Sequence, residues 1–141
     1  MQMVILYEVN TSLEDSNVQT TDFQIGHHYV ESNGIMLYYR SFIPQDIKAV
    51  MILIHGTGEH SGRYSHIGLS CLAHHIALIA PDLRGFGQSE GPRGHILRFE
   101  EYLDDLEILV ARLQKQYPGT PLFLFGHSLG GLICIRYDQT N

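Results

Sequence analysis

Apolar and polar positions divide the chain into fully apolar runs and runs with a helical period. Three short runs, at residues 49–54, 76–80 and 122–125, are apolar at every position. Strands that are covered on both faces, as in a parallel sheet flanked by helices, have this composition. Residues 99–117 instead repeat apolar side chains at helical spacing, and Pro118-Gly119 ends that pattern. We therefore predict three buried strands and a helix over 99–117.

Two further segments predict a β-hairpin before the first buried strand. Residues 27–32 and 35–42 are rich in strand-forming side chains, and Asn33-Gly34 joins them. Asn-Gly between such runs is typical of a tight hairpin turn, because both residues tolerate a positive φ. With helices expected over 63–75 and after Ser128, strands and helices alternate once the hairpin is complete. This order predicts an α/β fold, a mostly parallel sheet flanked by helices with an antiparallel hairpin at one edge.

The first part of the chain differs from the rest. Polar residues crowd positions 10–17, so we interpret residues 1–22 as a polar, poorly specified lead-in and residues 23–141 as one folded unit. The apolar start at 3–7 leaves an additional edge strand open as an alternative. We find no internal repeat and no low-complexity segment.

Charge and composition narrow the classes of function. The formal net charge is −6 and the nine Lys and Arg residues are scattered, which argues against nucleic-acid binding and leaves no polybasic patch for a membrane. No apolar run approaches the roughly 20 residues of a transmembrane helix, and the apolar start is too short for a signal peptide. We expect a cytoplasmic protein. Cys71 and Cys134 lie among apolar residues and are expected to be small buried side chains, not a disulfide.

The third apolar run leads directly into candidate chemistry. It ends in Gly126-His127-Ser128-Leu129-Gly130, a Gly-x-Ser-x-Gly sequence between a predicted strand and a predicted helix. This context is typical of a nucleophile elbow, a strained turn that exposes a serine hydroxyl. Glycines at both ends leave room for a backbone that folds back closely on itself. Ser128 is thus the candidate nucleophile, and the Leu129 N–H, at the start of a helix, is a candidate donor to developing negative charge.

A second loop is expected beside this turn. His55-Gly56-Thr57-Gly58 follows the strand 49–54, and the carboxyl ends of parallel strands meet at one edge of a sheet. The backbone N–H of Thr57 is the candidate second donor of an oxyanion hole, with Leu129 as the first. The alternative is an ordinary glycine turn. Asp82 ends another strand and is expected to pin its own loop by hydrogen bonds.

Other chemistries lack their motifs. The chain contains neither a G-x-G-x-x-G fingerprint nor the Gly-Lys-Ser/Thr of a P-loop. Its nine histidines show no metal-ligand spacing. We therefore expect no metal and no cofactor. His127 adjoins Ser128, but neighbouring side chains at an elbow point in different directions, so we do not assign it as the general base.

Three segments together resemble the monoacylglycerol lipases and lysophospholipases of the α/β-hydrolase superfamily, whose members are also described as serine aminopeptidase-like. The segments are His55 to Tyr64, Asp82 to Gly91 and Gly126 to Gly131, and the likeness covers roughly residues 25–138. The resemblance implies an α/β-hydrolase fold with Ser128 as nucleophile and the Thr57 and Leu129 N–H groups as oxyanion donors. It also implies a small lipid ester substrate, a fatty-acid monoester of glycerol or a glycerophospho group, cleaved through an acyl-enzyme.

The resemblance does not supply an acid or a base. In the family the aspartate and histidine of the triad follow later strands, and only 13 residues follow Ser128. We therefore expect residues 23–141 to be the N-terminal half of such a domain, with little turnover of their own. Transient contact with a membrane surface is expected of the full-length enzyme only. The run 122–125 is then expected to be an open apolar edge through which the chain self-associates.

Two other functions remain open. One is a catalytically incompetent remnant, or a pseudoenzyme fragment that binds a partner. The other is a different α/β-hydrolase activity, such as that of a short-chain esterase or an iminopeptidase.

Overall fold

A single sheet with helices on both faces makes up the part of the chain that this computed structural model describes, residues 2–3 and 23–141. The strands are β1 (Gln2–Met3), β2 (Phe23–Ser32), β3 (Ile35–Pro44), β4 (Ala49–Ile54), β5 (Ile76–Pro81) and β6 (Leu122–Gly126). The helices are a 3-10 helix (Ser61–Tyr64), α1 (Ser65–Ala73), α2 (Glu100–Gln116) and α3 (Leu129–Thr140). The spatial order of the strands is β1-β6-β4-β5-β3-β2.

The hairpin forms one edge of this sheet. β2 and β3 pair antiparallel over ten residues, from Phe23 opposite Pro44 to Ser32 opposite Ile35. The turn residues Asn33 and Gly34 have φ values of 47° and 85°, as a tight hairpin turn of the primed type requires. β3 also pairs antiparallel with β5, whereas β4 pairs parallel with β5 and β6. The predicted α/β fold with an antiparallel hairpin at one edge is confirmed.

The predicted helices form, with small changes at their ends. The segment predicted as one helix over 63–75 is a 3-10 helix followed by α1, and it stops before His75, whose φ is 59°. The helix predicted over 99–117 begins at Glu100 and ends at Gln116. A C-terminal residue with positive φ reverses the chain direction, which explains why α1 ends there.

Both faces of the central strands are covered, as their apolar composition predicts. Ile52 and Ile54 of β4 pack with α2 and α3 on one face, and Leu53 packs with α1 on the other. All three side chains are at most 1% exposed. Cys71 and Cys134 are buried and free, one in each layer, and burial raises the pKa of their thiols to about 11 and about 12. Both cysteines are therefore small core residues, as expected.

The opposite edge of the sheet differs from the expectation. β1 lies parallel to β6 on its outer side, with Gln2 opposite Phe123 and Met3 opposite Leu124. Backbone groups near the start of the chain thus supply ladder partners, so the edge at 122–125 is not fully open. The expected lead-in over the remaining residues up to 22 lies outside the described residues. Among the helices that the structure describes, none combines the length and the apolar composition needed to cross a bilayer.

Candidate active site

Ser128 occupies a strained turn between β6 and α3. Its φ is 53° and its ψ is −113°, a region that costs a residue with a side chain about 1–3 kcal/mol. The strand before it ends at Gly126 and the helix after it begins at Leu129. This is the strand–turn–helix arrangement predicted for an elbow.

The glycines on either side of Ser128 are required by close backbone contact. A Cβ on Gly126 would lie 2.3 Å from the carbonyl carbon of Gly130, and a Cβ on Gly130 would lie 2.0 Å from the carbonyl oxygen of Ile54. The His127 N–H donates to that same Ile54 oxygen at 3.0 Å. The elbow is therefore pressed against the end of β4, where no side chain fits.

The polar groups expected to act on a substrate are free in the described part of the chain. Ser128 and Thr57 are exposed, and the Ser128 side chain forms no hydrogen bond with any described residue. The backbone N–H groups of Thr57 and Leu129 donate to no described residue either. Both N–H groups are thus available to a ligand. Each lies a few residues beyond the carboxyl end of a strand, β4 or β6, and these two strands are neighbours in the sheet.

His55 fixes the start of the Thr57 loop, a role that the motif analysis did not assign. Its side chain is fully buried; Nδ1 lies 2.7 Å from the Gly56 carbonyl oxygen, and Nε2 accepts from the Leu83 N–H at 2.9 Å. Because a carbonyl oxygen only accepts, the proton is on Nδ1. Burial lowers the pKa of this imidazole, so it stays neutral. A polar residue directly after a fully apolar strand is the feature that marks it in the sequence.

Glu59 joins the Thr57 loop to the elbow. Its Oε2 accepts from the Gly56 N–H at 2.7 Å, from the Tyr64 hydroxyl at 2.7 Å and from His127 Nδ1 at 3.2 Å. Burial opposes ionisation of this carboxylate, but the hydrogen bonds from Tyr64, Gly56 and His127 outweigh it and lower its pKa to about 2. The His127 side chain is thus paired with Glu59.

Asp82 pins the loop that follows β5, as predicted, and it also reaches the adjacent loop. Its Oδ2 accepts from the Gln88 N–H at 2.8 Å, within its own loop. Its Oδ1 accepts from the Ser61 N–H at 2.6 Å, at the start of the 3-10 helix. A Cβ on Gly87 would lie 2.1 Å from Oδ2, so the loop closes tightly around this carboxylate. Asp82 therefore connects two loops at the edge that carries the site.

A buried ion pair holds the next part of the same loop. Arg84 donates from Nε to Asp105 Oδ2 at 2.7 Å and from Nη2 to Oδ1 at 2.5 Å, and Ser32 Oγ donates to Oδ1 at 2.5 Å. The bond to Asp105 and the charge of that carboxylate raise the pKa of Arg84. The sequence did not predict this contact. Asp105 shares the core-facing side of α2 with Tyr102 and Leu109, and a carboxylate there needs a buried partner.

Across residues 2–3 and 23–141, no three His, Cys, Asp or Glu side chains are grouped closely enough to hold a metal ion.

Comparison with known proteins identifies a family and several relatives that this chain resembles. The family described as "Serine aminopeptidase, S33" matches residues 45–141. Human monoglyceride lipase is 39% identical over 118 residues, which cover 83% of this chain and 39% of that protein. The monoacylglycerol lipase of Mycolicibacterium smegmatis is 34% identical over 112 residues, covering 79% of this chain and 40% of its own length.

A solved structure supports the fold. The thermostable carboxyl esterase from Bacillus coagulans, solved in complex with glycerol, superposes with a TM-score of 0.74 at 30% identity and covers 86% of this chain and 41% of that one. The chain thus spans about two fifths of the length of the proteins it matches. Because the family match covers more than half of the residues and the fold superposes on that of the esterase, the chain belongs to the serine aminopeptidase (S33) family of α/β-hydrolases.

Proposed function

We propose that the site around Ser128 is the nucleophile and the oxyanion-binding part of a serine hydrolase that acts on carboxylic esters. The observation that carries the proposal is the Ser128 backbone, with φ 53° and ψ −113°, in a turn that leaves the hydroxyl unbonded. A side chain is held in such a conformation only where the surrounding structure imposes it, and such positions concentrate at active sites. The names of the relatives, monoglyceride lipase and carboxyl esterase, support an ester as the substrate.

The proposed reaction has two steps. Ser128 Oγ attacks the ester carbonyl carbon, and the carbonyl oxygen becomes an oxyanion that accepts from the Thr57 and Leu129 N–H groups. Collapse of this intermediate breaks the bond to the alcohol, which leaves protonated, and forms an acyl-enzyme; water then attacks the acyl carbon and releases the fatty acid. One oxyanion donor contributes about 10²–10³-fold to the rate. The substrate we favour is a monoacylglycerol or a lysophospholipid, and the cytoplasm remains the predicted location.

A base must take the proton of Ser128 in the first step. No histidine follows Ser128 in the 141 residues, and none of the described side chains forms a hydrogen bond with its hydroxyl. We therefore expect residues 1–141 alone to react slowly, with a rate that comes from the oxyanion hole and binding, about 10³–10⁴-fold above water. The second candidate function is a catalytically incompetent chain that binds a partner, and the observation that favours it is that the Ser128 hydroxyl forms no hydrogen bond with a base among the described residues.

Covalent labelling with a fluorophosphonate separates these candidates. The chain is incubated with the probe between pH 7 and pH 9.5, and the adduct is measured by intact mass and located by peptide mapping. We expect slow labelling confined to Ser128, faster at high pH because hydroxide replaces the base, and absent in Ser128→Ala. Labelling no faster than that of the urea-unfolded chain would contradict a preformed nucleophile. Labelling as fast as in a complete serine hydrolase would show that residues 1–141 contain a base.

The ester class is tested by hydrolysis. Monooleoylglycerol, lysophosphatidylcholine, p-nitrophenyl acetate and an aminoacyl-p-nitroanilide are compared at equal concentration, with Ser128→Ala as the blank. We expect the two long-chain lipids to be preferred. A preference for the acetate would indicate a short-chain esterase, and one for the anilide an iminopeptidase.

A further inference from the structure

We propose that Glu59 is a positioning residue, which fixes the Thr57 loop (residues 55–58) relative to the elbow at Ser128. It acts through the residues that directly precede Thr57 and Ser128. This inference rests on the proposed function, because it assigns a catalytic purpose to the geometry of the two loops.

The contacts of one carboxylate oxygen carry the argument. Glu59 Oε2 accepts from the Gly56 N–H at 2.7 Å and lies 3.2 Å from His127 Nδ1. Gly56 precedes Thr57, whose N–H is the proposed oxyanion donor, and His127 precedes Ser128, the proposed nucleophile. A single carboxylate oxygen thus binds both segments, and in each segment the residue that it contacts directly precedes the residue with the reactive group.

The packing around this oxygen leaves little freedom. A Cβ on Gly56 would lie 3.1 Å from Glu59 Oε2 and 3.1 Å from His127 Nδ1. The Glu59 N–H also donates to the Gly56 carbonyl oxygen at 3.2 Å, which closes the loop into a turn. The Tyr64 hydroxyl, at 2.7 Å, orients the carboxylate from the outside. Movement of the carboxylate would therefore be passed on to the peptide that carries the Thr57 N–H.

The charge of Glu59 makes a purely electrostatic role unfavourable. A carboxylate close to an oxyanion repels it, because like charges disfavour each other. Any benefit of Glu59 to the reaction must then come from the length of its side chain and the position of its acceptor oxygen. The charge and the length of the side chain are two properties that substitutions can change one at a time.

Three variants of Glu59 isolate these properties. Glu59→Gln keeps the length and one acceptor oxygen but removes the charge. Glu59→Asp keeps the charge but is one methylene too short to reach the Gly56 N–H, and Glu59→Ala removes both. Arg63→Gln is the matched control, because Arg63 is exposed and contacts only the other oxygen, at 3.5 Å.

Two measurements are made on each variant. Hydrogen exchange of the Gly56 amide, followed by NMR, reports the contact without requiring any reaction. The second-order rate of Ser128 labelling by a fluorophosphonate reports the alignment of the site. We expect Glu59→Asp and Glu59→Ala to accelerate Gly56 exchange at least tenfold and to slow labelling at least tenfold. We expect Arg63→Gln to stay within about threefold of the wild-type chain in both, and Glu59→Gln, which keeps the reach but loses the charge, to lie between the wild-type chain and Glu59→Asp.

Several outcomes would overturn the proposal. One is unchanged Gly56 exchange in Glu59→Asp. Another is a labelling rate in Glu59→Gln as low as in Glu59→Asp, since charge and not reach would then matter. A third is faster exchange of all core amides in parallel, because the effect would then be global destabilisation. If the wild-type chain does not label at all, the proposed function fails, while the Gly56 exchange pattern still decides whether Glu59 holds the loop.

Discussion

The loop after β5 and the elbow after β6 lie at the same edge of the sheet, yet different forces hold them. In the β5 loop, buried side chains make the contacts: Asp82 accepts two backbone N–H groups, and Arg84 pairs with Asp105. In the elbow, backbone packs on backbone, with Gly126 and Gly130 pressed against each other and against Ile54. The first loop satisfies its own polar groups, whereas the second leaves the Ser128 hydroxyl and the Leu129 N–H without a partner among the described residues.

This difference explains where chemistry is possible. A buried polar network is stable only when every member is satisfied, so its groups have no capacity left for a substrate. Positioning by backbone contact uses no polar side chain, so the polar groups of the elbow stay free. Its free-energy cost is the strained backbone conformation of Ser128. The two loops therefore respond differently to substitution, and the following experiments test that contrast.

The largest effect is expected from Gly130→Ala in the elbow. The new Cβ would lie 2.0 Å from the Ile54 carbonyl oxygen, and neither backbone segment can move without breaking the β4–β6 pairing. We expect a loss of about 5 kcal/mol or more, which few domains survive. Urea denaturation followed by circular dichroism measures it. Gly131→Ala is the control, since its Cβ lies 3.3 Å from the nearest atom, the Gly126 carbonyl oxygen. Equal midpoints for the two variants would contradict the backbone account.

For the β5 loop the corresponding change is Asp105→Ala, which removes the α2 partner of Arg84. It leaves the Arg84 guanidinium buried without its main partner, and we expect a loss of about 3–5 kcal/mol in the free energy of unfolding. Glu101→Gln removes the charge of the second, more exposed partner at 3.2 Å and should lower the free energy of unfolding much less, because solvent screens an exposed pair.

A double variant completes this test. Arg84→Met combined with Asp105→Leu removes both charges and keeps the volume, so most of the stability should return. If the double variant is as unstable as Asp105→Ala, the loss comes from packing and not from an unpaired charge.

The sequence predicts the elbow better than the β5 loop, and the reason is the same contrast. Gly-x-Ser-x-Gly after an apolar strand specifies a backbone path, and the observed turn at Ser128 and the close contacts of its glycines follow that path. The hairpin at Asn33-Gly34 is specified in the same way. Such features depend on neighbours in sequence, which a motif contains.

Long-range polar contacts were not predicted. Arg84 and Asp105 are 21 positions apart, and Glu59 and His127 are 68 apart. Their partners are chosen by the packing of α2 against the sheet and of one loop against another, which no local pattern encodes. The pairing of Gln2–Met3 with β6 is not predictable from the sequence either, since a two-residue strand has no period.

A smaller effect is expected from acid at the elbow. The pKa of Glu59 is lowered from its ordinary value of 4.5 to about 2. The ionised carboxylate therefore contributes its stability in full above about pH 4.5, and the contribution is lost as the pH falls toward 2. We expect this contribution to the free energy of unfolding to be about 1.5–3 kcal/mol, which is typical of hydrogen bonds to a charged group.

The measurement compares unfolding free energies of the wild-type chain and Glu59→Gln from pH 7 to pH 2.5. We expect a constant difference above pH 5 that shrinks below it. Parallel curves over the whole range would show that Glu59 ionises in the folded chain as it does in the unfolded chain.

The smallest change in stability, below about 1 kcal/mol, is expected at the edge beside the elbow strand. In the described part of the chain, only Phe123 and Leu124 of β6 have ladder partners on the outer side, Gln2 and Met3. Replacing both partners by proline removes the N–H donors of that short ladder and frees an apolar edge, which favours pairing with a second chain. We expect dimers at several-fold lower concentration in sedimentation velocity. The Gln2→Ala/Met3→Ala chain keeps the donors and serves as the control, so equal association of the two variants would show that chains associate through another surface.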